Sequence, residues 1–175
     1  METKQVLSIM KIVSWVIFIG LCIKAGAIII SFFVSFFVNP EASKNIYLGL
    51  DFSSLCKLKM HYLILMASLL IVVSVLKAHL FYLVIKIFSK INIDNPFSAH
   101  VTNLITKISY ITLSLAIISK IANSFNLWLI THKGRSAVPL DYGYKELFFM
   151  AGILFIIAYI FKRGVELQTE NELTI

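Results

Sequence analysis

Four long apolar segments decide most of what this chain can fold into. They run roughly over residues 12–38, 60–88, 101–130 and 147–163. The hydrocarbon core of a bilayer is about 30 Å thick and takes about 20 residues of α-helix to cross. The first three segments are long enough to tilt or to project beyond it. The fourth is short and needs Tyr144 or the aliphatic stem of Lys162 to complete a span. Hydrophobic residues make up 59% of the chain and charged residues only 14%. Soluble domains carry about 45–50% and about 25%, so a water-facing surface is hard to build from this composition. The expected fold is an all-α, integral-membrane four-helix bundle, one domain over 1–175.

The connections differ in character. The first apolar run ends at Asn39-Pro40, and proline just past a helix cannot continue it. The stretch that follows, up to Lys59, alternates apolar and small residues at its centre, which suits a short strand or hairpin. "SKINIDNPFSAH" is a compact link, and "THKGRSAVPLDYGYKE" carries the Gly and Pro punctuation of a loop. No internal repeat or low-complexity stretch appears. The first run is too long for a signal-peptide core and lacks a small-residue cleavage pattern, so it reads as a mature helix.

The net charge is +7. Most of the basic residues flank apolar runs, where they anchor a protein at lipid head groups. No basic stripe interleaved with aromatics is present, which argues against direct nucleic-acid binding. Trp15, Tyr62, Tyr110, Trp128, Tyr142 and Tyr144 fall near span ends, as interfacial aromatics do. An even number of spans puts both termini on one side. That side would carry Lys4, Lys11, Lys86, Lys90, Lys107, Lys162 and Arg163, against Lys44, Lys57, Lys59, Lys133, Arg135 and Lys145 on the other. The balance does not orient the chain.

Candidate chemistry inside the spans is limited to three lysines, Lys24, Lys77 and Lys120. A charge at the bilayer centre costs about 2.5–3.5 kcal/mol on insertion scales, and every acidic residue lies outside the spans or at their ends. Small and polar residues recur beside the lysines at helical spacing. They are Gly20, Ala27 and Ser31 in the first span, Ala67, Ser74 and Ala78 in the second, and Ser109, Thr112, Ala116, Ser119 and Asn123 in the third. Such stripes are what helix contact in lipid needs, so they are expected to face inward. The lysines, with Ser119 and Asn123, would then line a cationic cavity for an anion or a lipid head group. The alternatives are snorkelling towards the interface and a lysine neutralised by burial. Cys22 and Cys56 have neither metal-type spacing nor an expected disulfide, and the four histidines are scattered. No nucleophile elbow, phosphate loop or dinucleotide fingerprint occurs, so neither an enzyme nor a cofactor is expected.

Two stretches are more distinctive. In "DNPFSAHVTNLITKI", Asn95-Pro96 or Ser98 can start a helix. Val101, Leu104, Ile105 and Ile108 then share one face, with His100, Asn103 and Lys107 on the other. This is an amphipathic lead into the third helix, placed at the membrane surface. In "FKRGVELQTENELTI", Val165, Glu166, Leu167 and Glu170 can carry a helix past the last span, while Thr169 and Asn171 weaken it.

With these two motifs the chain resembles a family of small four-helix bacterial membrane proteins catalogued as domain of unknown function 2975. Pro96-Phe97, Arg163-Gly164, Glu166-Leu167-Gln168, Glu170-Asn171 and Leu173-Thr174 carry the resemblance. Glu172 and Ile175 stand where the family more often has aspartate and valine, and Ser98-Ala99-His100 where it more often has acidic residues. The family has no established activity, but its members often neighbour a small helix-turn-helix regulator of Cro/CI type. The resemblance thus implies a bacterial cytoplasmic membrane, cytosolic termini and a short cytosolic C-terminal tail. Pro96, Phe97, Arg163, Gly164, Glu166, Leu167, Glu170, Asn171 and Leu173 become candidate partner-binding residues. The alternative for the tail is packing against Pro96-Phe97 and the interface. A small transporter, a channel subunit, an anion- or lipid-binding bundle and an immunity protein against a membrane-active peptide stay open as functions, and so does a homo-oligomer.

Overall fold

A computed structural model describes residues 3–39, 60–91, 96–133 and 142–172. The strand or hairpin expected before Lys59, Asn95 and Leu173 lie outside the described residues. Four helices account for nearly all of the rest: α1 (Thr3–Phe37), α2 (Met60–Lys90), α3 (Ala99–Lys133) and α4 (Tyr144–Glu172). All four are long and apolar enough to cross a membrane. They contain 35, 31, 35 and 29 residues. At 1.5 Å per residue that is about 52, 46, 52 and 43 Å, so each helix outreaches the roughly 30 Å hydrocarbon core.

The helices pack in chain order. Extensive contacts join α1 to α2, α2 to α3 and α3 to α4, with none of that extent between α1 and α4 among the described residues. Two inner helices therefore have protein on two sides, and the two outer ones mainly on one. The main core joins Ile28 of α1, Leu63, Met66, Leu70 and Val73 of α2, and Leu115, Ala122 and Leu129 of α3. Nearer the terminal end, Leu83 meets Leu104 and Ile108, and Val101 and Ile105 meet Ala158.

The lead into α3 is amphipathic as expected but differs in where its apolar face goes. Its apolar face is buried against α2 and α4 rather than laid on head groups, while His100, Asn103 and Lys107 are exposed. Of the two candidate caps it uses Ser98. The Ser98 hydroxyl accepts from the Val101 amide at 3.3 Å, and its carbonyl accepts from Thr102 at 2.9 Å. This satisfies donors that a helix start leaves orphaned. At the other end of the molecule Gly143 has φ 59°, a left-handed turn that glycine adopts without strain, and its carbonyl receives the Leu147 amide as α4 begins.

The helix of the last span does not end at Arg163. α4 continues without a break to Glu172, so the expected tail, where described, is two and a half further turns of the same helix. Thr169 does not interrupt it, because its hydroxyl bonds the Val165 carbonyl at 2.9 Å.

Candidate functional site: a groove where two motifs meet

The small and polar residues of α3 form its buried face. Ser109, Thr112, Ala116 and Ser119 are at most 1% exposed, and Asn126, one heptad beyond Ser119, is also buried. Asn123 is only half-buried, so the stripe turns to Asn126 at its end. Most of these hydroxyls bond within their own helix. Ser109 reaches the Ile105 carbonyl at 2.9 Å, and Thr112 reaches Ile108 at 2.8 Å. Back-bonding of this kind hides polarity without a partner helix. The Ser119 hydroxyl has no hydrogen-bond partner among the described residues. In α2, Ala67, Ser74 and Ala78 are buried as expected from their spacing. In α1 the contact line is Ser14, Ala25, Ile28 and Ser35. Gly20 faces open space, and Lys24, Ala27 and Ser31 sit at the edge of the contact.

The three lysines fall into two places. The Phe18 and Tyr82 rings, with centroids 6.0 Å apart, fix the antiparallel register of α1 on α2. Lys24 lies about 9 Å further along α1 from that pair, and Lys77 about 7.5 Å along α2 in the same direction. Both are partly buried and share one level along the α1–α2 pair. Lys120 is exposed in a separate hollow of about 540 Å³ between α3 and α4, beside Ile117, Ile121, Phe125 and Phe148. Phe148 is one turn from the start of α4, so Lys120 is level with the first turns of that helix.

The two distinctive motifs come together at the terminal end. Phe97, just before α3, stacks at a tilt on Phe161 of α4, with centroids 5.3 Å apart. Its ring also lies over Gly164. A Cβ added there would sit 2.5 Å from Phe97 Cδ1 and 2.9 Å from Cγ, a distance real Cβ atoms do not tolerate. Gly164 is thus needed for close approach rather than for backbone freedom.

A groove of about 680 Å³ opens beside this contact, lined by Phe97, Tyr159, Ile160, Arg163, Gly164, Leu167, Gln168 and Asn171. Its walls are predominantly apolar, and Leu167 and Tyr159 are largely exposed within it. Arg163 at its rim is held by Glu166 at 2.9 Å. Glu166 and Glu170, one turn apart, stay exposed on the same stretch. The motif reading named Phe97, Arg163, Gly164, Leu167 and Asn171, and the groove gathers all five. It missed Tyr159 and Ile160, and had Gln168 only among the residues that carry the resemblance. A signal was present, since Ile160, Gly164, Gln168 and Asn171 recur at i, i+4, i+8 and i+11 along one helix face.

These features define a multi-pass α-helical membrane protein with a groove at the end of its last helix. The chain belongs to the family described as Protein of unknown function (DUF2975), whose model matches residues 56–175. The match takes in α2, α3, α4 and both motifs, and leaves α1 outside it. No curated protein and no solved structure matches the chain.

Proposed function

We propose that this protein is a membrane-bound regulatory partner that holds a small helix-turn-helix transcription regulator at the bacterial cytoplasmic membrane, with both termini in the cytosol. The observation that carries this reading is the groove between Phe97 and the end of α4. It is apolar, it opens at the end of the molecule where both termini emerge, and it is built from the two most distinctive stretches of the sequence. An apolar groove with a polar rim is a surface for a partner's apolar anchors.

The test is affinity purification from native membranes, followed by mass spectrometry, for the unaltered chain and for Leu167→Glu. Leu167 is 46% exposed, so the substitution leaves the helix packing intact. The reading expects a small helix-turn-helix protein retained by the unaltered chain and lost with the variant, at equal membrane insertion. Retention of no such protein by either chain overturns it.

A second reading, an anion- or lipid-binding bundle, draws on Lys24 and Lys77 at one level in the α1–α2 pair. It expects Lys24→Leu with Lys77→Leu to abolish binding of a lipophilic anion. If the pair of changes merely raises thermal stability, the lysines are structural tolerances.

A further inference from the structure

Resting on the partner reading above, the geometry points to one kind of occupant for the groove: a basic amphipathic α-helix of the partner, laid along α4 at the membrane surface. Three observations carry this.

The first is shape. From Tyr159 to Asn171 the groove follows α4 for about 18 Å, or three turns and a little more. An apolar ridge of four residues at i, i+4, i+8 and i+12 on a second helix matches that length and repeat.

The second is the backbone. Apart from Phe97, which precedes α3, the groove walls are residues of α4, whose main-chain groups bond within that helix up to its last turn. An extended peptide would find no ladder to join and would bury its amides unpaired in an apolar channel. A helix brings its own bonds.

The third is charge. At the level of the membrane surface α4 carries Lys162 and Arg163. Beyond them, residues 164–172 hold three carboxylates, Glu166, Glu170 and Glu172, and no cation. The anionic cytoplasmic leaflet repels such a stretch, and Arg163, the charged residue of the groove lining, is bonded to Glu166 and lies in the field of Glu170, which leaves that edge net anionic. A lipid phosphate is therefore disfavoured along this part, whereas lysines or arginines on the edge of a helix are favoured there.

The test uses the full chain in nanodiscs of zwitterionic lipid. The probes are two synthetic amphipathic helices with one leucine ridge, one lysine-edged and one glutamate-edged. Empty nanodiscs set the background. The inference expects the lysine peptide to bind protein-bearing discs at least tenfold tighter than the glutamate peptide. It expects that preference to collapse in Glu166→Gln/Glu170→Gln and all excess binding to vanish in Leu167→Glu. Equal affinity for the two peptides overturns it, and so does binding no better than to empty discs, which would leave bilayer lipid as what covers the groove. The partner reading fails separately, on the absence of a retained helix-turn-helix protein, so the two outcomes are distinguishable.

Discussion

α1 and α3 have the same length and opposite lives. Of the four spans α1 has the highest mean hydropathy and α3 the lowest, yet 11% of the apolar window of α1 is buried against 50% of that of α3. In water the more apolar helix would go inside. In lipid the outer solvent is as apolar as leucine, so apolarity no longer selects the interior. Close approach does, and it favours small side chains. α3 supplies these in Ser109, Thr112, Ala116 and Ser119, whose hydroxyls mostly bond their own backbone. α1 turns Ile12, Val16, Ile23 and Ile30 to the surrounding hydrocarbon, where their bulk is harmless.

The contrast can be broken by substitution. Enlarging the buried face of α3 should do most harm. Ala116→Leu, at a site with 0% exposure, is expected to cost about 1–3 kcal/mol by overpacking, read as a lower unfolding temperature in detergent. Ile23→Leu in α1 should leave that temperature unchanged, and equal losses at the two sites would erase the distinction.

Gly164→Ala belongs to the same class of overpacking but at the groove. It should cost about 1–2 kcal/mol, less than a core site, because the displaced Phe97 ring is 37% exposed and has somewhere to go. Adding Phe97→Ala should restore most of the loss, which a double-mutant cycle would read as coupling. Independent effects would mean the two groups are not in contact.

Smaller and opposite in sign is Ser119→Ala. Removing a buried hydroxyl that lacks a hydrogen bond should stabilise the chain by up to about 1 kcal/mol. Ser109→Ala, where the hydroxyl is back-bonded, should change little. Smallest is Arg163→Ala. Its ion pair with Glu166 is solvent-exposed, with side chains 56% and 44% accessible, so its loss should leave the unfolding temperature nearly unchanged. A large loss there would mean that Arg163 does more than hold Glu166.

The spans themselves were legible because length and apolarity report directly on the bilayer. So was the buried stripe of α3, because small residues at helical spacing are rare without a contact to explain them. The ends of the helices were not, since the hydrocarbon limit says where lipid stops and not where hydrogen bonding stops. α4 shows this: Lys162-Arg163 marks the interface, and the helix runs through it to Glu172. The level of Lys120 was hidden for a related reason. It sits near the middle of its apolar run, but it is level with Phe148, near the beginning of α4. Only the stagger between neighbouring helices reveals that. The contact of Phe97 with Gly164 has no local signature, because it joins residues 67 positions apart in the chain. The two motifs could be recognised separately, and their meeting was legible only as the alternative in which the tail packs against Pro96-Phe97, which the contacts of Phe97 with Phe161 and Gly164 match.

One consequence concerns force. α4 is a single rod from its membrane-embedded turns to Glu172, and a rod has no joint at which to absorb a push. Whatever grips its outer end works on a lever whose fulcrum is the Phe97 ring. Tilting that lever by a few degrees drives Gly164 against the ring or draws it away, and Phe97 stands one residue before the Ser98 cap of α3. A load on the outer end of α4 would therefore bear first on a side chain that adjoins the opening turn of α3.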